Sequence, residues 1–218
     1  RCLLCVAEPA IDLSRFSPDQ KVQSIRSELG LPEDSFVVGM VTRIRASRRL
    51  DVVIKAVAEL AGEFPQLRLM VVGRGSGTAE LDVVKEPARQ AGIADRVVLA
   101  GYCSDERLVA AYRAMSILAY PMPGTDKSCR TVREAMAMGL PVVASRVGFL
   151  RELVSDGVTG RLVDLSSRDM ALAIREIVMD PGSCSKFSAE ALASARRRFD
   201  SSLQAGRTIA LYNEMLKV

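Results

Sequence analysis

Short, continuous apolar runs alternate along the chain with stretches whose apolar positions recur every three or four residues. Phe36–Val41 is the first run, and the apolar residues at 50, 53, 54, 57 and 60 behind it predict a helix over Leu50–Glu63. Leu67–Val72 follows, then a helical pattern at Thr78–Ala91. Val97–Leu99 is a third predicted strand, with a helix at Asp105–Ala114. Ile117–Tyr120, Val142–Ala144 and Gly160–Val163 complete the set, the last after the turn signal Asp156-Gly157. Two or three helices are expected from about Arg168 onward.

Strands without polar alternation are buried on both faces, and strands alternating with helices form parallel sheets. The pattern therefore predicts a Rossmann-like, doubly wound parallel α/β sheet of about six strands. Right-handed crossovers then bring the loops after the strand C-termini to one edge, where ligands bind. The loops carrying Arg43, Gly73–Gly77, Gly101–Ser104 and Asp126 all follow strands, so they are expected to converge on one crevice. Residues 1–35 read differently: a turn-rich segment, a short predicted helix at Lys21–Glu28, then Gly30-Leu-Pro32. They look like a connector entering a domain at residue 36, which implies that the chain begins inside a larger protein.

Composition narrows the partners. The 218 residues are 49% hydrophobic and 26% charged, as in an ordinary soluble domain with a full-sized core. Lys and Arg exceed Asp and Glu by 30 to 26, too small an excess to argue nucleic acid, and aromatics at 5% with no Trp supply few stacking platforms. A modest basic balance suits a phosphorylated ligand or loose contact with an anionic membrane surface. No apolar run nears the roughly 20 residues of a membrane helix and no secretory signal opens the chain, so a cytoplasmic protein is expected. His is absent, which removes imidazole as base or metal ligand and excludes His-dependent triads and zinc sites. The Cys residues stand at 2, 5, 103, 129 and 184; Cys2-x-x-Cys5 has no second pair and reads as a buried or edge-strand feature.

The most informative stretch is 126–145. With Ser128 as N-cap, the helix start presents the N–H groups of Cys129, Arg130 and Thr131 to an anion. Glu134 then lies roughly 9 Å further along the axis at about 1.5 Å per residue, about the reach from a diphosphate to a ribose. Asp126 stands just before the helix. The segment reads as a nucleotide-sugar site. Gly73-Arg-Gly-Ser-Gly77 is a tight turn, but it misses G-x-G-x-x-G spacing and follows the second strand, which disfavours a dinucleotide oxidoreductase.

These residues resemble the family 4 glycosyltransferases of the GT-B fold. Asp126 to Ser145 resembles that family's E-x7-E block with its continuation E-A-M-A-x-G-x-P-V-V-A. Ala10-Ile-Asp-Leu-Ser-Arg-Phe16 looks like its N-G-V-D-x-x-x-F linker. Val38-Gly-Met-Val-Thr-Arg43 looks like its G-R-L strand end, and Leu69-Met-Val-Val-Gly-Arg-Gly75 like its V-G-x-G turn. Arg151–Val163 is similar to E-x-V-x-D-G-x-T-G-x-L-V almost residue for residue.

The resemblance implies the C-terminal, donor-binding half of a two-domain enzyme. Its acceptor site would lie in an N-terminal domain absent here, and residues 200–218 would form a helix packing back toward that domain. The implied reaction moves a sugar from a nucleotide-diphosphate donor to a glycan or lipid-linked acceptor of the cell envelope. It runs with retention and without metal or other cofactor, possible contact being with the inner membrane face. By the same resemblance Glu134 accepts from the ribose hydroxyls, and Asp126, in place of the family's first Glu, contacts the donor sugar. The backbone at Cys129, Arg130 and Thr131 meets the distal phosphate. Arg43 matches the phosphate-binding Arg, Arg48 replaces the usual Lys, and Arg49 replaces the Gly after it. Gly73 and Gly75 leave room for the ligand, and the loop with Tyr102 and Cys103 is expected to hold the base. Arg196-Arg-Arg198 reads as a solvated face. A non-catalytic nucleotide-sugar-binding subunit is the alternative, kept open by Asp126 and Arg49.

Overall fold

The computed structural model describes residues 9–122 and 129–216. Six strands form one parallel sheet: β1 (Phe36–Val41), β2 (Leu67–Val72), β3 (Val97–Gly101), β4 (Ile117–Tyr120), β5 (Val142–Ser145) and β6 (Gly160–Val163). Their order is β3-β2-β1-β4-β5-β6. The chain winds outward from β1 in one direction, then crosses back to start again at β4. The loops that follow β1 and β4 diverge there, leaving the crevice typical of a doubly wound sheet.

Apolar strands dictate covers on both faces. On one face, Val38, Met40, Leu69, Val71, Ile117 and Val143 pack against α1 (Leu50–Leu60) and α6 (Ser167–Met179). On the other, Val37, Met70, Val72, Leu118, Tyr120 and Ala144 meet α3 (Asp105–Ala114), α4 (Arg130–Ala137) and α7 (Pro181–Arg198). Successive strand residues thus feed opposite cores, as a two-residue repeat requires. The remaining helices are α2 (Glu86–Gln90), α5 (Leu150–Leu153) and α8 (Ser201–Met215). α8 buries no residue, and its Leu203, Ile209, Tyr212 and Met215 are exposed.

Several boundaries differ from the pattern's expectation. Lys21–Glu28 is not a helix; only a turn at 26–30 forms. Ile25 and Leu31 are pulled into the core, and the Arg26 guanidinium bonds the carbonyls of Pro32, Ser35 and Ala114. An isolated stretch of that length gains too little from its own helix to resist such contacts. Thr78–Ala91 is broken into a π turn at Leu81–Lys85 and α2. The π turn ends two residues before Pro87, whose ring clashes with the carbonyl four residues back in a regular helix. α1 stops at Leu60 instead of Glu63.

The segment before β1 is anchored. Ile11 and Phe16 are buried in the same core as α3 and α4, and the Ile11 N–H donates to the Phe199 carbonyl at 2.7 Å.

Candidate functional site

α4 is built as a short, rigid post. Gly139 closes it at φ +71° with a paired set of bonds, Leu140 N–H to Ala135 O at 2.9 Å and Gly139 N–H to Met136 O at 3.0 Å. Its start differs by one residue from the expectation: the helix opens at Arg130 with Cys129 in the capping place, and Ser128 lies outside the described residues. Cys129 is fully buried, and its carbonyl accepts from Val132 and Arg133. The N–H groups of Arg130 and Thr131 meet no backbone acceptor among the described residues. Both residues line a cavity of about 640 Å³ at the crevice between the two halves of the sheet.

Glu134 lies one turn further along, 5% exposed, on the wall of that cavity. A carboxylate this buried has to be partnered. The Tyr112 hydroxyl donates to Oε2 at 2.8 Å, and Arg130 Nε donates to Oε1 at 2.8 Å. Burial, reinforced by the Glu134 charge, pushes the Tyr112 hydroxyl well above its ordinary ionisation range, so it stays protonated and remains a donor. The preceding residue, Arg133, points the other way, with its guanidinium carbon over the rings of Phe149 and Phe199 at 5.6 and 5.7 Å. Two adjacent buried charges thus serve opposite sides of the post.

The loop after β1 brings Arg43 and Arg45 to the mouth, both exposed and without a protein acceptor among the described residues. Arg48 lines an adjoining cavity of about 240 Å³ that shares Arg43, Thr131 and Glu134 with the first, and its Nη1 donates to Met122 Sδ at 3.2 Å. Arg49 adopts φ +52° and ψ +38°, the left-handed conformation that favours glycine, and pairs with Asp51 at 3.1 Å.

After β2, Gly73 lines the cavity with its N–H on the Gly101 carbonyl at 2.7 Å. A Cβ there would stand 1.8 Å from the Thr42 carbonyl oxygen, so only glycine lets the β1 and β2 loops meet. Gly75 is also in the lining, its absent Cβ 2.7 Å from Ala79. Tyr102 is two-thirds exposed with Arg74 over its ring at 5.4 Å, and together they form the far wall. Cys103 is buried beneath, its thiol directed to the carbonyls of Ala100 and Gly101; burial raises its ionisation against the pull of Arg107.

The structure therefore brings together Arg43, Arg48, Gly73, Gly75, Tyr102, Cys103, Arg130, Thr131 and Glu134 around one crevice. Cys129 sits behind it as packing. Asp126, Cys2 and Cys5 lie outside the described residues. Arg198 departs from a solvated face, since its guanidinium donates to the Glu152 and Leu153 carbonyls. Sequence reasoning missed Tyr112, Arg15 and Phe16, all at the site. The available signal for Tyr112 was its phenol within an apolar helix face, because a buried tyrosine hydroxyl needs a partner. Among the described residues no three His, Cys, Asp or Glu side chains group to hold a metal ion, and no helix is long and apolar enough to cross a membrane.

The sequence model of the glycosyl transferases group 1 family matches residues 21–193. This chain belongs to that family. It is 38% identical over 191 residues to the D-inositol 3-phosphate glycosyltransferase of Rhodococcus jostii, covering 85% of this chain and 42% of the relative. Among solved structures, HepE of Anabaena in complex with UDP superposes with a TM-score of 0.80 at 26% identity, over 94% of this chain and 56% of that one. A glycosyltransferase of Rickettsia africae shares the fold at a TM-score of 0.85 and 19% identity, over 98% of this chain and 57% of that one. The fold is accordingly the Rossmann-like half of a GT-B architecture. The chain spans about half the length of the curated relatives it matches.

Proposed function

We propose that this chain is the donor-binding half of a retaining glycosyltransferase that takes a sugar from a nucleotide-diphosphate donor. The observation that carries the reading is Glu134: an almost fully buried carboxylate on the wall of a crevice, held by Tyr112, beside a helix start and the exposed Arg43. A carboxylate there accepts from the two ribose hydroxyls. The amides of Arg130 and Thr131, with Arg43 and Arg48, offset charge that builds on the leaving diphosphate as the glycosidic bond breaks. Asp126 orients the sugar. HepE, which shares the fold at 26% identity, was solved with UDP, which supports a nucleotide in this crevice.

The acceptor, a glycan or lipid-linked sugar of the cell envelope, would bind in a second domain, and transfer would need no metal. The exposed apolar residues of α8 support a contact with that domain. The chain would act in the cytoplasm, and Arg196 and Arg197 are exposed cations on α7 for any contact with an anionic membrane face. A non-catalytic subunit gains nothing from Arg49, because its backbone makes the glycine-type turn.

Calorimetry with UDP-, GDP- and ADP-sugars tests the reading. One of them should bind the parent chain, and Glu134→Ala should weaken it. No binding to the parent overturns the donor assignment. Equal transfer by parent and Glu134→Ala, once each is rejoined to an acceptor domain, overturns the catalytic one.

A further inference from the structure

We infer that Tyr112 is the positioning residue for Glu134, and that Phe16 of the connector holds the Tyr112 ring in place for that task. The inference rests on reading Glu134 as the acceptor for ribose hydroxyls. A carboxylate has two oxygens and a soft terminal torsion, so its direction must be set from outside. Here Oε2 is held by the Tyr112 hydroxyl at 2.8 Å, while Oε1 faces Arg130, whose side chain is 71% exposed. The arginine is free to swing aside for a ligand; the tyrosine, fully buried, is not. Oε1 is thus the oxygen offered to the crevice, and Tyr112 decides which way it points.

Tyr112 is itself held from behind. The Phe16 ring meets it edge-on, centroids 6.0 Å apart at 81°, and Phe16 is 1% exposed. Phe16 belongs to the segment that enters the domain, whose Ala10 and Ile11 N–H groups are tied to Gln204 and Phe199 at the start of α8. A shift of the connector therefore reaches the carboxylate through two contacts, ring on ring and hydroxyl on oxygen. Neither α3 nor α4 need move.

The test compares UDP, GDP and ADP with their 2′,3′-dideoxy forms on the 218-residue chain. The parent should prefer the ribose form of the nucleotide it binds. Tyr112→Phe keeps the ring and deletes the hydroxyl. It should narrow that preference about tenfold, the size of one hydrogen bond to a charged group, and leave dideoxy binding within about twofold. Phe16→Leu should narrow it about threefold. An unchanged preference in folded Tyr112→Phe overturns the positioning role alone. If Tyr112→Phe does not fold, Phe16→Leu decides by the same ratio, an unchanged value overturning the proposal. A parent that binds no nucleotide, or shows no ribose preference, overturns the donor reading of Glu134 and this role with it.

Discussion

α4 and α8 are both helices with apolar residues, yet their situations are opposite. α4 has eight residues, with Val132 through Ala137 buried, two charges among them. α8 has fifteen and buries none. Length alone favours α8, since short isolated helices are marginal in water. The contrast teaches that packing, and not helix propensity, selects where this protein can hold a charge still. α4 is pressed between β4, β5 and α7, so each of its buried side chains has one place to be. That immobility is what lets Glu134 be aimed.

Matched substitutions test the contrast directly. Met136→Ala removes a side chain with no exposure and should lower stability by about 2–4 kcal/mol in a urea titration. Should it unfold no more easily than the equivalent change in α8, the contrast is lost. Glu134→Ala should weaken the bound nucleoside diphosphate by about tenfold to a hundredfold in calorimetry, because ribose hydroxyls lose a charged acceptor. Arg49→Gly relieves the left-handed backbone and should stabilise by up to about 1 kcal/mol, or change nothing, in thermal melts; a clear loss would show that the Asp51 pair outweighs the backbone strain. Ile209→Ala, on the exposed helix, should shift stability by no more than about 0.5 kcal/mol.

Much of this was legible before any coordinates. All six strands stand within two residues of the apolar runs that predicted them, because parallel strands buried on both faces leave no polar alternation to confuse. The convergence of Arg43, Gly73 and Tyr102 followed from strand-end loops alone. Lys21–Glu28 misled because its fate is set by Arg26 reaching Ala114, a contact between residues far apart in the chain. The partner of the Tyr112 hydroxyl was hidden for a related reason. In α3 the tyrosine reads as one more core residue, and only the folded chain sets its hydroxyl against a carboxylate 22 positions on. Phe16 was seen as part of a linker motif, but its role behind Tyr112 belongs to three dimensions.

Arg49 carries one last consequence. By the resemblance drawn from the sequence Arg49 stands where a glycine is expected, and a search by letters would score the arginine as a mismatch. The main chain nevertheless bends there with the dihedrals that a glycine would choose. A fingerprint written in torsion angles would therefore accept this chain where one written in residue names marks it down. Divergence at this corner lies in the alphabet and not in the shape.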